Sequence, residues 1–118
     1  MINEIRIQRS LRLCGNTIKL FKIYESERYL NLLLEFQEGG TLGDLLENPT
    51  RLSEEDARLI IAQILLSLDF MNQIGLIHRD LKPENVLLNS RSKGVYDVRI
   101  ADFGYSVKIE SIQLGYEI

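Results

Sequence analysis

Apolar positions along the chain switch between helical and strand-like spacing. Over residues 3–13, Ile7 and Leu11, with Ile2, Ile5 and Leu13 nearby, predict a helix with one partly buried face. Residues 17–24 and 29–36 are rich in Ile, Leu, Tyr and Phe and flank the polar run Glu25-Ser26-Glu27-Arg28. That arrangement predicts two antiparallel strands joined by a polar turn, with Gly39 and Gly40 marking the exit. Residues 42–47 suffice for a short helix, which Asn48 and Pro49 interrupt because proline disfavours a helical residue before itself.

The strongest helical pattern follows. Ser53 can cap free backbone amides, Glu54, Glu55 and Asp56 complement the positive end of the helix dipole, and Ser53 with Asp56 has the capping-box spacing. Ile61, Ile64, Leu65, Leu68 and Met71 then predict a buried stripe, and Gly75 ends the helix. A polar loop over residues 78–85 leads into the apolar run 86–88. Tyr96, Val98 and Ile100 alternate with Asp97, Arg99 and Ala101, which predicts a half-buried strand, with residues 89–94 as the turn between the two. From Asp102 onward the period is lost.

Composition bounds the chemistry. The 118 residues are 45% hydrophobic and 26% charged, enough for one modest globular core. The net charge of −3 is spread along the chain, so no electrostatic footprint points to nucleic acid or an anionic membrane. One cysteine and one histidine exclude an internal disulfide and a zinc site of usual composition, and suit an intracellular, cytoplasmic setting. The longest apolar stretch, 60–71, carries Gln63, Ser67 and Asp69 and is too short to span a bilayer, so no membrane partner is expected.

Two motifs carry the chemistry. His78-Arg79-Asp80-Leu81-Lys82-Pro83-Glu84-Asn85 has the form H-R-D-L-x-x-x-N, and Asp102-Phe103-Gly104 follows the next predicted strand. Taken singly, Asp80, Lys82 and Asn85 are ordinary loop residues and His78 an ordinary core histidine. Two motifs in the right order, each at a predicted strand–loop junction, are not.

The chain resembles the serine/threonine protein kinases, and the resemblance covers nearly its whole length. It implies that Asp80 orients the acceptor hydroxyl and takes its proton, and that Lys82 lies beside the transferred phosphate. It implies that Asn85 and Asp102 hold Mg2+ against ATP, with Glu84 beside them on the nucleotide side. Arg79 matches an arginine that pairs with a phosphorylated activation-segment residue, for which Ser106 and Ser111 lie in the right stretch. Glu4 matches the helix glutamate that pairs with a nucleotide-binding lysine. Leu34, Glu35, Phe36 and Gln37 match the gatekeeper and hinge around the adenine.

The resemblance implies an α+β, partial bilobal fold. Residues 1–36 would belong to the small lobe, 37–41 to the hinge and 42–118 to the large lobe ending in the activation segment. It implies ATP-dependent phosphorylation of Ser or Thr in protein substrates. The sequence departs from the family at Gln8, where an apolar residue usually packs toward Phe103, at Thr41, where an acidic ribose contact is usual, and by one extra residue within 12–16. These 118 residues contain no Gly-rich phosphate loop, no Ala-x-Lys strand and no A-P-E signature. They are therefore expected to be inactive alone and to expose apolar surface. The rival expectation is a non-catalytic, pseudokinase-like fragment that binds a partner kinase or regulator. Arg91 and Lys93 are expected to be a solvated loop, and Tyr105 either structural or a bias on the acceptor residue.

Overall fold

A computed structural model describes residues 2–47, 52–92 and 94–108. Asn48, Pro49, Lys93 and Ser111 lie outside the described residues, as does the side chain of Arg91. In chain order the elements are α1 (Ile2–Ser10), β1 (Leu20–Glu25), β2 (Leu30–Leu34), α2 (Leu42–Leu46), α3 (Glu54–Gln73), β3 (Leu76–Ile77), a 3₁₀ turn (Pro83–Asn85), β4 (Val86–Ser92), β5 (Val95–Ile100) and β6 (Val107–Lys108). The strands pair antiparallel as β1–β2, β4–β5 and β3–β6. Mixed helix and strand are compatible with part of a protein kinase fold.

The first helix buries Ile5 and Ile7 as expected but stops at Ser10, with Leu11 buried just beyond it and Leu13 82% exposed. Ser10 Oγ donates to the Ile7 carbonyl at 2.7 Å, and Cys14 N–H donates to Leu11 O at 2.9 Å, tightening the end into turns. The Lys19 ammonium adds a further donor at this end, to Leu11 O at 3.0 Å, to Cys14 O, and to Thr17 Oγ1 at 2.9 Å. Burial around Lys19 lowers its pKa below the usual lysine value.

The predicted strand 17–24 is split between two sheets. Thr17 bridges Ile100 in parallel, Ile18 N–H donates to Ile100 O at 2.9 Å, and Ile100 N–H donates to Asn16 O at 2.8 Å. Only from Leu20 does the chain pair with β2. Alternation could not reveal this, because both halves are extended and differ only in their partner.

The cap of α3 forms where expected, with Asp56 N–H donating to Ser53 Oγ at 3.0 Å. Asp56 itself is buried and accepts from Tyr96 OH at 3.2 Å. The buried stripe is displaced from the predicted one: Ile60, Ile64, Ser67 and Met71 face the core, while Ile61 and Leu65 are 50% and 58% exposed. Gln63 decides the rotation. Its Oε1 accepts from Val98 N–H at 3.0 Å and Asn16 Nδ2 at 3.1 Å, and its Nε2 donates to Tyr96 O at 2.7 Å. Turning the greasier face inward would strand these donors and acceptors.

The hairpin β4–β5 is longer than predicted. Pairing continues through Ser90↔Asp97, Arg91↔Tyr96 and Ser92↔Val95, with an irregularity between Leu88 and Ser90, so residues 89–92 belong to the strand and Gly94 follows at φ 80°. Backbone pairing needs no apolar side chains, so the polar run 89–92 could read as a loop while forming a strand. The short pair β3–β6 joins two segments distant in sequence, Leu76 with Lys108 and Ile77 with Val107, where the sequence pattern predicts no strand after Asp102. Val86, Leu88, Tyr96, Val98, Ile100 and Phe103 join Ile60, Ile64 and Met71 in one core beneath the loop 78–85.

Two glycines tie residues 37–41 to this hairpin. Gly39 N–H donates to Leu88 O at 2.7 Å and Leu88 N–H donates to Gly40 O at 2.8 Å. A Cβ on Gly39 would lie 2.4 Å from Leu88 O, so no other residue fits there. Thr41 then opens α2 as half of a capping box, its Oγ1 accepting from Asp44 N–H at 3.0 Å and Asp44 Oδ2 accepting from Thr41 N–H at 2.9 Å.

Candidate active site

The catalytic-loop motif hangs from β3 and returns through the 3₁₀ turn into β4. His78 is buried and anchors the loop. Its Nδ1 accepts from Asp80 N–H at 3.1 Å, which places the proton on Nε2 for donation to Ala101 O at 2.9 Å. The ring also packs edge-on against Phe103, with centroids 5.0 Å apart. One imidazole thus links the backbone of Asp80 to the residue before Asp102.

Asn85 locks the other side of Asp80. Its Nδ2 donates to the Asp80 carbonyl at 2.8 Å and to Asp80 Oδ2 at 3.2 Å. Asp80 Oδ1 lies 3.8 Å from the Lys82 ammonium, a long, partly exposed and weak pairing. Ala101 N–H donates to Asn85 O at 2.8 Å, and Val86 pairs with Ile100. Asn85 and Asp102 therefore flank the same end of one ladder. Asp102 is exposed, and its Oδ1 accepts from Gly104 N–H at 3.3 Å.

Arg79 and Asp102 both adopt left-handed backbone, at φ 70° and 60°. Such conformations cost about 1–2 kcal/mol for non-glycine residues and persist where surroundings impose them. The Arg79 case has a visible tether, since its Nε donates to Tyr105 O at 2.6 Å. Arg79, Asp80, Lys82 and the exposed Tyr105 line an open depression of about 520 Å³. Ser106 is not available for modification in this conformation: it is buried and its Oγ donates to His78 O at 3.1 Å.

The remaining predicted residues are dispersed. Glu84 is exposed and its Cγ would lie 3.7 Å from a Cβ on Gly43, which puts it against α2. Glu35 Oε1 accepts from Lys19 N–H at 3.2 Å, and Glu35 N–H donates to Lys19 O at 2.8 Å. Leu34 ends β2 and is partly exposed, whereas Gln37 is buried with no partner for its Oε1 among the described residues. Glu4 is half-buried on α1, whose start is fastened to the segment after Asp102 by Asn3 Nδ2 donating to Ser106 O at 3.1 Å. Sequence reasoning missed Gln63, Asn16 and Ser67, the polar residues that align α3, β5 and the segment before β1. Their one signal was polarity inside otherwise apolar stretches.

Residues 1–115 match the family model described as protein kinase domain. The chain belongs to the protein kinase family. It is also 42% identical over 103 residues to a protein of Dictyostelium discoideum named probable myosin light chain kinase. That match covers 87% of this chain and 26% of the relative, so the chain spans about a quarter of the curated relative's length.

Protein kinases generally use ATP and Mg2+, and the donor set of this family member suits them. A hard cation takes oxygen ligands, and here a carboxylate and an amide carbonyl stand at one ladder end. The Asn85 nitrogen is committed to Asp80, so Oδ1 is the atom that would face a cation. Among the described residues no cluster of three or more His, Cys, Asp or Glu could hold a metal. Asn85 and Asp102 would leave positions open for phosphate oxygens and water around such a cation. No helix among the described residues is long and apolar enough to cross a membrane.

Proposed function

We propose that the chain is the catalytic-loop portion of an ATP- and Mg2+-dependent serine/threonine protein kinase domain, acting on protein substrates in the cytoplasm. The observation that carries this reading is the double hydrogen bond from Asn85 Nδ2 to Asp80, which orders a candidate base and a candidate cation ligand through one side chain. Residues 1–36 would belong to a small lobe, 37–41 to the hinge and 42–118 to a large lobe.

Each residue then has a task. Asp80 would orient the acceptor hydroxyl and accept its proton through the carboxylate. Asn85 Oδ1 and the Asp102 carboxylate would hold the cation, with Glu84 near the nucleotide side. When bound, Mg2+ and ATP supply the phosphoryl group and neutralise its charge. Lys82, close enough to Asp80 to share its field, would add positive charge beside the phosphate; a lysine two residues after the base favours Ser or Thr as acceptor. Leu34, Glu35 and Gln37 would border the adenine, and Glu4 would pair with a lysine that these 118 residues do not contain.

A second reading, a non-catalytic fragment that binds a partner kinase or regulator, is favoured by the exposed row Ile61, Leu65 and Leu66 on α3. A chimera separates the two. Residues 2–108 replace the matching segment of the Dictyostelium relative, and Mg2+-dependent transfer of labelled phosphate to a basic protein is measured. The enzymatic reading expects transfer to Ser or Thr that Asp80→Asn and Asp102→Asn each abolish. A folded chimera without transfer, or one indifferent to both substitutions, overturns it.

A further inference from the structure

The turn Asp102-Phe103-Gly104-Tyr105 is held at both ends by one residue of the catalytic loop. Before it, His78 Nε2 donates to Ala101 O at 2.9 Å; after it, Ser106 Oγ donates to His78 O at 3.1 Å. The four residues between thus form a loop closed onto His78, with the Phe103 ring packed edge-on against the imidazole. Ser106 also closes the loop from within, since its N–H donates to Phe103 O at 3.2 Å. Its carbonyl accepts from Asn3 Nδ2 at 3.1 Å, which ties the same residue to α1.

Three observations give the Ser106 hydroxyl more to do than fill space. Ser106 is 1% exposed, and an alanine would pack there without taking a polar group out of water. The backbone it closes on is unfavourable: Asp102 sits at φ 60°, and its Oδ1 accepts a long hydrogen bond, 3.3 Å from Gly104 N–H. A left-handed non-glycine residue persists where its surroundings over-determine it, and the bonds flanking this turn do so. Finally, the other tether of the turn, Arg79 Nε to Tyr105 O, is exposed to water, whereas the Ser106 bond is shielded from it and stronger for that.

We propose that Ser106 is a positioning residue: by closing residues 101–106 onto His78, its hydroxyl locks Asp102 in the backbone conformation seen at the ladder end shared with Asn85. That the locked carboxylate then serves a cation rests on the kinase reading above; the lock itself does not. A group that orients a ligand in this way changes affinity for the cation without touching it.

Native-state hydrogen exchange on the 118-residue chain reads the lock with neither cation nor nucleotide present. In Ser106→Ala the amides of Gly104 and Ser106 should exchange about two- to tenfold faster, with Ala57 in α3 unchanged. Ser106→Cys keeps the volume but is a weak donor, so it should behave as Ser106→Ala, while Ser106→Thr keeps the donor and should exchange as the wild type. Unchanged exchange in Ser106→Ala, or wild-type exchange in Ser106→Cys, overturns the proposal. If the added methyl group of Ser106→Thr costs the chain its cooperative melt, the Ala and Cys variants decide. In the chimera, Ser106→Ala should raise the Mg2+ needed for half-maximal transfer by about tenfold. A slower chimera with an unchanged Mg2+ requirement overturns the positioning role, because a hydroxyl that served stability alone would act that way. A wild-type chimera that transfers nothing overturns the catalytic reading instead, and exchange still decides the lock.

Discussion

Asn85 holds Asp80 by two hydrogen bonds from one amide nitrogen, 2.8 Å to the carbonyl and 3.2 Å to Oδ2. The side chain proposed to ligate the cation is thereby also the one that aims the proposed base. Removing Asn85 should disturb both tasks, which neither task alone would predict.

In the chimera, Asn85→Ala should lower transfer by about 10²-fold or more and raise the Mg2+ needed for half-maximal rate. Asn85→Asp restores an oxygen ligand but cannot donate to Asp80 and adds charge beside it. It should keep the wild-type Mg2+ requirement yet remain slow. Rates measured against Mg2+ concentration separate the outcomes, and a fully active Asn85→Asp enzyme would refute the aiming role.

The 118-residue chain alone should transfer no phosphate. A γ-phosphate needs charge neutralisation from several directions, and these residues supply Asn85, Asp102 and Lys82 but no phosphate-covering loop. A radiolabelled ATP assay beside Asp80→Asn checks this; activity that disappears in the variant would show the covering elements to be dispensable.

Gln63→Leu should destabilise the chain by about 2–4 kcal/mol, because Val98 N–H and Tyr96 O lose their partner inside the fold. Urea unfolding at low protein concentration gives the magnitude. A change under about 0.5 kcal/mol would mean that water replaces the amide without cost.

Gln8→Leu should act in the opposite direction, raising stability by about 1 kcal/mol. It removes a buried oxygen without a partner and keeps the volume of the side chain. A rise in Tm of a few degrees is expected.

Lys19 couples stability to alkaline pH. Burial, the largest cause, lowers its folded-state pKa below 10.5, with Arg99 acting the same way and Cys14 and Glu35 opposing. Between the lowered value and 10.5 the unfolded chain binds more protons than the folded one, so stability rises with pH across that window. Below it, the cost of burying the charge is present in full. The rise should be absent from Lys19→Met, whose carbonyl caps are lost at every pH; unfolding measured from pH 8 to 11 in both chains checks it.

The helices α1, α2 and α3, the hairpin strands, the Ser53 cap, the Gly75 stop and the two kinase motifs were legible in the sequence, because each is set by residues within a few positions of one another. Turn, cap and period are local physics. The tertiary structure decided whatever depended on a distant partner. Thr17 and Ile18 are as extended as Leu20, yet only the fold assigns them to Ile100 rather than to β2. Ile61 and Leu65 are as apolar as Ile60 and Ile64, yet the amide of Gln63 had to meet the β5 backbone 33 to 35 residues away, and that turned α3. Ser106 lies in the stretch where the resemblance puts a phosphorylated residue, yet its hydroxyl donates to the His78 carbonyl 28 residues away. Spacing along the chain reports a side chain's neighbours on its own element; which polar groups must be satisfied across the core is set only when the elements meet.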